Sequence, residues 1–117
     1  MTINEIKQLL DAEVICGDNL EREVLSACGS DMMSDVLAYV KDQAALLTGL
    51  VNAQVIRTAE MMDMIAVVFV RSKKPGQDII ELARESGMVV LATPKRMYEA
   101  CGILYSNGLK GNGEINE

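Results

Sequence analysis

The sequence predicts an α/β fold, a three-layer α/β/α sandwich with a mainly parallel five-stranded sheet, and three observations carry that expectation. Strand-turn-helix units follow one another three times between residues 44 and 105. The strands of those units are apolar on both faces, the pattern of strands covered by helices above and below. The chain has 117 residues, 50% hydrophobic and 24% charged, enough for one core of ordinary size.

Taken in order, Thr2-Ile3-Asn4-Glu5 forms a capping box, and Ile3, Ile6, Leu9 and Leu10 follow at helical spacing, so a first helix runs to about Leu10. Glu13 to Cys16 and Val24 to Cys28 are short runs of β-branched and small residues separated by the turn-prone Gly17-Asp18-Asn19, and are expected as strands. Met33, Val36, Leu37 and Val40 recur at three and four within a second helix, Met32 to Val40, with Ser30 or Asp31 as its cap. The regular part begins with the strand Ala45 to Thr48, then Gly49 and an amphipathic helix from about Asn52 to Met62. The unit recurs as the strand Ile65 to Val70, the polar turn Arg71 to Gly76 and a helix from about Gln77 to Glu85, closed by Gly87, where glycine suits a left-handed cap. It recurs again as the strand Met88 to Ala92, the turn Thr93-Pro94 and a helix from about Lys95 to Tyr105. Residues 1–109 are expected to form a single domain and residues 110–117, with little to bury, a flexible tail.

Composition excludes several function classes. The absence of histidine removes the commonest general base, the Ser-His and Cys-His pairs and most catalytic zinc sites. A net charge of −6 opposes non-specific binding to nucleic acid or an anionic membrane. No apolar run approaches the ~20 residues of a membrane helix, and the first residues lack the basic-then-apolar order of a leader. Cys16, Cys28 and Cys101 have neither a pairing number nor CxxC spacing, and read as small buried hydrophobes of a reducing, cytoplasmic setting.

The candidate site follows from the topology. Right-handed crossovers place the turns after Thr48, Val70 and Ala92 along one edge of the sheet, where ligands of open sheets bind and helix amino termini present free amides. Residues 71–96 hold six of the eleven basic residues against three acids, whereas residues 1–70 hold four bases and eleven acids. Thr48 and Gly49 offer a hydroxyl and close backbone approach; Ser72, Lys73 and Lys74 offer a hydroxyl and two cations; Thr93, Lys95 and Arg96 offer another hydroxyl and two more. Such a rim suits a phosphate or other anion, although neither GxxxxGK[ST] nor GxGxxG is present.

Other residues carry less. Asp31 and Asp35 could face Mg²⁺ together, but acids in a first helical turn chiefly cap it and offset its dipole, so no metal or other cofactor is expected. The run Glu60-Met61-Met62-Asp63-Met64 reads as core packing with methionine as filler. Tyr98 and Tyr105, seven apart on the last helix, form a stripe that either covers the sheet or meets a second subunit.

The segment from Gly29 to Leu109 resembles a DRTGG domain, through Gly29-Ser30-Asp31 with Ser34-Asp35, Ala45-Leu46-Leu47-Thr48-Gly49, Ala66-Val67-Val68-Phe69-Val70, Ile79-Ile80-Glu81-Leu82-Ala83 and Val89-Val90-Leu91-Ala92-Thr93. Such domains accompany catalytic domains in phosphotransacetylases and, with CBS domains, in nucleotide-regulated inorganic pyrophosphatases, and they resemble the amino-terminal domain of HPr kinase/phosphorylase. The resemblance implies a three-layer α/β/α fold, a non-catalytic regulatory or oligomerising role, frequent homodimers and, in the pyrophosphatases, proximity to bound adenine nucleotides. Of the aspartate-arginine and threonine-glycine-glycine that the family name records, Asp31 or Asp35, Thr48 and Gly49 carry over. Met32 stands where the arginine would follow Asp31, and Leu50 where the second glycine would be. The expectation is therefore a stand-alone cytoplasmic regulatory module, a homodimer and not an enzyme, that binds a phosphorylated small molecule such as an adenine nucleotide. The alternative is a dimerisation or interaction module without a small ligand, using the Tyr98/Tyr105 helix or the Met61-Met62-Met64 region.

Overall fold

The computed structural model describes residues 1–39 and 43–111. Its elements in chain order are α1 (Ile3–Leu9), β1 (Glu13–Cys16), β2 (Ser26–Gly29), α2 (Met33–Tyr39), β3 (Ala44–Thr48), α3 (Ala53–Met61), β4 (Ala66–Phe69), α4 (Gln77–Ser86), β5 (Val89–Ala92) and α5 (Met97–Ser106). Val40, the expected last residue of the second helix, and the tail beyond residue 111 lie outside the described residues.

The five strands form one sheet in the order β1-β5-β4-β3-β2. β2 to β5 are parallel, and β1 joins the β5 edge antiparallel, so the sheet is mixed and mostly parallel, as expected. The sequence carries no signal for the direction of β1, a four-residue strand whose partner lies more than seventy residues along the chain. The register aligns Thr48 with Phe69 and Phe69 with Ala92, so β3, β4 and β5 end level, and Glu13 opposite Ala92 starts β1 at the same edge.

Successive side chains of a strand point to opposite faces, and here both faces are apolar. Ala45, Leu47, Ala66, Val68, Val89 and Leu91 pack with Ile3, Ile6 and Leu10 and with Ala100 and Leu104 of α5. Leu46, Val67, Phe69 and Val90 pack with α2, α3 and α4 through Val36, Val55, Ile56, Ile79 and Ala83. Two helices thus cover one face and three the other.

Local signals end and begin the helices largely as the sequence predicts. The Thr2 hydroxyl accepts from the Glu5 N–H at 3.1 Å while the Glu5 carboxylate accepts from the Thr2 N–H at 2.8 Å, completing the capping box. Asn52 caps α3 by accepting from the Val55 N–H at 3.1 Å. Gly87 closes α4 in the left-handed region, φ 71°. Ser30 accepts from the Met32 N–H at 2.9 Å ahead of α2, which leaves Asp31 free for another partner. Beyond α5 the Lys110 carbonyl accepts from the Ala27 N–H at 3.1 Å, so the chain runs alongside β2.

The cysteines and methionines divide. Cys16 is buried, Cys28 and Cys101 are half-buried, all three are free, and burial raises each thiol above its usual range. Met64 is in the core, but Met61 is 69% exposed, so only part of the methionine run is filler.

Candidate functional site

The level ends of β3, β4 and β5 bring three connecting loops together, and hydrogen bonds tie two of them. Arg71 and Ser72, just after β4, both adopt left-handed backbone, φ 61° and 58°. Such a conformation is costly for residues with a side chain and persists where surrounding contacts enforce it. Here the contacts are the Arg71 N–H donating to the Lys95 carbonyl and the Ser72 N–H donating to the Thr93 carbonyl, each at 2.8 Å.

The same turn lays the Arg71 side chain across the β3–α3 loop. A Cβ added at Gly49 would stand 2.3 Å from one terminal nitrogen of the Arg71 guanidinium and 3.1 Å from its central carbon, so the guanidinium lies on the bare backbone of Gly49. Glycine permits this close approach, and a side chain there would push the guanidinium aside.

Asp31, in the loop after β2, reaches the same point. Its Oδ1 accepts from the Gly49 N–H at 2.8 Å and from the Thr48 hydroxyl at 2.9 Å, while the Thr48 oxygen accepts from the Leu50 N–H at 3.0 Å. Thr48 is fully buried and its hydroxyl is aimed outward at this carboxylate. The Gly49 amide is the largest influence holding the Asp31 carboxyl below its ordinary range. Partial desolvation opposes it, and the Thr48 hydroxyl and the charges of Arg71 and Lys73 add to it.

This arrangement has a pH consequence. A carboxyl lowered by folding stabilises the fold above its unfolded-state value, about 4, and that contribution disappears as pH falls through the folded value. Asp31→Asn is therefore expected to be less stable than the parent near neutrality, with the difference shrinking below about pH 4. Urea midpoints of both proteins from pH 7 to 3 measure it, and a pH-independent difference would contradict the assignment.

The eight residues expected at the site share this edge but not one role. Thr48 and Gly49 bind Asp31, the Arg71 guanidinium lies on Gly49, and Ser72 and Lys73 follow Arg71 in the same turn. Lys74 turns to the start of β1 and pairs with Glu13 at 3.2 Å, an exposed contact of small energetic weight. Thr93 is fully buried, and its hydroxyl donates to the Leu10 carbonyl at 2.6 Å while accepting from the Lys95 N–H at 3.2 Å, so it is engaged with the end of α1. Lys95 stands at the loop junction and Arg96 is the exposed N-cap of α5.

Two residues at the centre were not among the eight. Arg71 read only as one cation of a polar turn, because no pattern marks a non-glycine residue for left-handed backbone. Asp31 read as a cap or a family position, and its contact with Gly49 depends on β2 lying beside β3.

A second feature lies along α5. Tyr98 is 91% and Tyr105 59% exposed, which rules out the alternative in which they cover the sheet. They border a shallow groove of about 760 Å³ lined also by Lys95, Gly102, Ile103 and Ser106. Among the described residues, no group of three or more cysteines, aspartates or glutamates could hold a metal ion, and no helix is long and apolar enough to cross a membrane.

Comparison with known proteins agrees with this architecture. The family model of the DRTGG domain matches residues 5–106. The chain belongs to the DRTGG family. Its fold is similar to a crystal structure of the CBS and DRTGG domains of the regulatory region of Clostridium perfringens pyrophosphatase, complexed with the activator diadenosine tetraphosphate. The TM-score is 0.74 at 20% identity, over 88% of this chain and 45% of that one. This DRTGG chain therefore spans less than half of the protein it superposes on. A search of curated proteins gave no match.

Proposed function

We propose that this DRTGG domain is a non-catalytic, cytoplasmic regulatory module that binds a phosphorylated small molecule, an adenine nucleotide in the first instance, at the ends of β3, β4 and β5. The observation that carries the reading is the guanidinium of Arg71 laid on Gly49, beside Lys73 and above a buried threonine hydroxyl aimed at an oxyanion. A planar guanidinium with several donors, a lysine and a backbone amide make a phosphate-recognising set. The activator in the similar pyrophosphatase structure supports adenine nucleotides as the ligands to try first. Such a ligand regulates by binding one conformational or quaternary state better than another, ordinarily by about 1–3 kcal/mol.

Calorimetric titration with AMP, ADP, ATP and diadenosine polyphosphates tests the reading. Binding in the micromolar to millimolar range is expected, weakened about tenfold or more by Lys73→Ala with Lys95→Ala, since a charge-assisted hydrogen bond contributes about 1.5–3 kcal/mol. No heat at millimolar concentration of any of them would remove it.

The exposed tyrosines of α5 favour a second reading, a dimerisation module in which two copies meet along this helix. Tyrosine is enriched at interface centres, and Gly102 between Tyr98 and Tyr105 leaves room for a second helix to approach. Light scattering is expected to give a dimer at micromolar concentration, and Tyr105→Glu a monomer with unchanged helix content. A monomeric parent at high micromolar concentration would end this reading.

A further inference from the structure

The position that an anion would take on the Gly49 amide is already filled, and what fills it is part of the chain. We propose that Gly49, Thr48 and Arg71 form an oxyanion seat that Asp31 occupies in the free protein, and that an anionic ligand binds by displacing this carboxylate. The inference deepens the proposed function and rests on it for the identity of the ligand, but not for the seat.

The geometry supports it from both sides. A carboxylate oxygen is held there by two donors at hydrogen-bond distance, the Gly49 N–H and the Thr48 hydroxyl, so the donors are demonstrably arranged for an oxyanion. Thr48 is fully buried and its oxygen already accepts from Leu50, so its proton is directed outward. Arg71 lies against the same glycine, and no ion pair within 4.0 Å joins it to an acidic residue among the described residues, so its donors remain for an incoming anion. Phosphate offers more oxygens and more charge than one carboxylate, and can engage Gly49, Thr48 and Arg71 together. Exchange would release the segment before α2 from the β3–α3 loop. That is the differential between states a regulatory ligand needs.

The test removes the tethered carboxylate and supplies a free one. Asp31→Ala is expected to melt below the parent in chloride, and 10–50 mM inorganic phosphate or formate, an order-of-magnitude range for a small anion held by two or three contacts, is expected to restore most of that loss at matched ionic strength. The parent is expected to respond little, and by calorimetry phosphate should bind Asp31→Ala at least tenfold more tightly than the parent, one decade being about 1.4 kcal/mol. Adding Arg71→Ala to Asp31→Ala should abolish the rescue. Equal phosphate responses of the parent and Asp31→Ala would overturn the proposal. Should Asp31→Ala fail to fold, Asp31→Asn keeps an acceptor for Gly49 but lacks the charge, and phosphate affinity unchanged from the parent would overturn it equally. The two readings separate cleanly. Nucleotide binding that Asp31→Ala leaves unimproved overturns the exchange and keeps the nucleotide module, whereas phosphate rescue without nucleotide binding to either protein upholds the seat and removes the nucleotide.

Discussion

Phe69→Ala is expected to destabilise the domain by about 3–5 kcal/mol, the range for deleting a buried aromatic ring from a core that collapses only partly. Phe69 is fully buried, the largest such side chain among the described residues, and packs with residues of α2, α3 and α4 beneath the end of β4. It also stands in register between Thr48 and Ala92, so the cavity would open directly under the loops that form the site. Urea unfolding should show a much lower midpoint with little change in slope, and phosphate or nucleotide binding should weaken along with it. A loss under about 1.5 kcal/mol, as for a volume-conserving exchange, would mean that this layer repacks freely.

Gly17→Ala is expected to cost about 2–4 kcal/mol by the sum of a strained backbone and an overpacked contact. Gly17 follows β1 with φ 103°, and an added Cβ would stand 2.8 Å from the Cα of Val89, the first residue of β5. Backbone cannot swing aside as a side-chain end can, so β1 and β5 would have to separate. Gly87 provides the control: it too has positive φ, 71°, but a Cβ there meets nothing within 4 Å. Gly87→Ala is expected to lose only about 1 kcal/mol, the cost of the backbone conformation alone. Equal losses at the two positions, measured by thermal and urea unfolding, would show that the approach of Gly17 to Val89 carries no energy.

The three βα repeats were legible because each local signal agreed with the fold. Ala66 to Phe69 and Val89 to Ala92 are apolar throughout and buried throughout, Asn52 caps α3 and Gly87 ends α4. Parallel order then brought the loops after Thr48, Val70 and Ala92 to one edge, which is why Thr48, Gly49 and Lys73 could be placed there from residues alone. What stayed illegible depends on neighbours distant in sequence. Asp31 looks like a cap, yet Ser30 holds the Met32 amide ahead of α2 and the Asp31 carboxylate crosses to the next strand's loop. Arg71 looks like a solvated cation, and only the left-handed turn lays it on Gly49. Thr93 looks like a ligand hydroxyl, but Leu10, 83 residues earlier, claims its proton. The direction of β1 was illegible for the same reason.

That last bond gives the first helix a mechanical role. Leu10 is the C-cap of α1, and its carbonyl grips Thr93, whose oxygen in turn holds the Lys95 amide, while the Lys95 carbonyl holds Arg71. α1 is thus a handle geared through three consecutive bonds to the backbone amide of Arg71, where the left-handed turn begins. Pulling, crosslinking or crowding residues 1–10 should shift amide-proton exchange at Arg71 and Ser72, some sixty residues further along the chain.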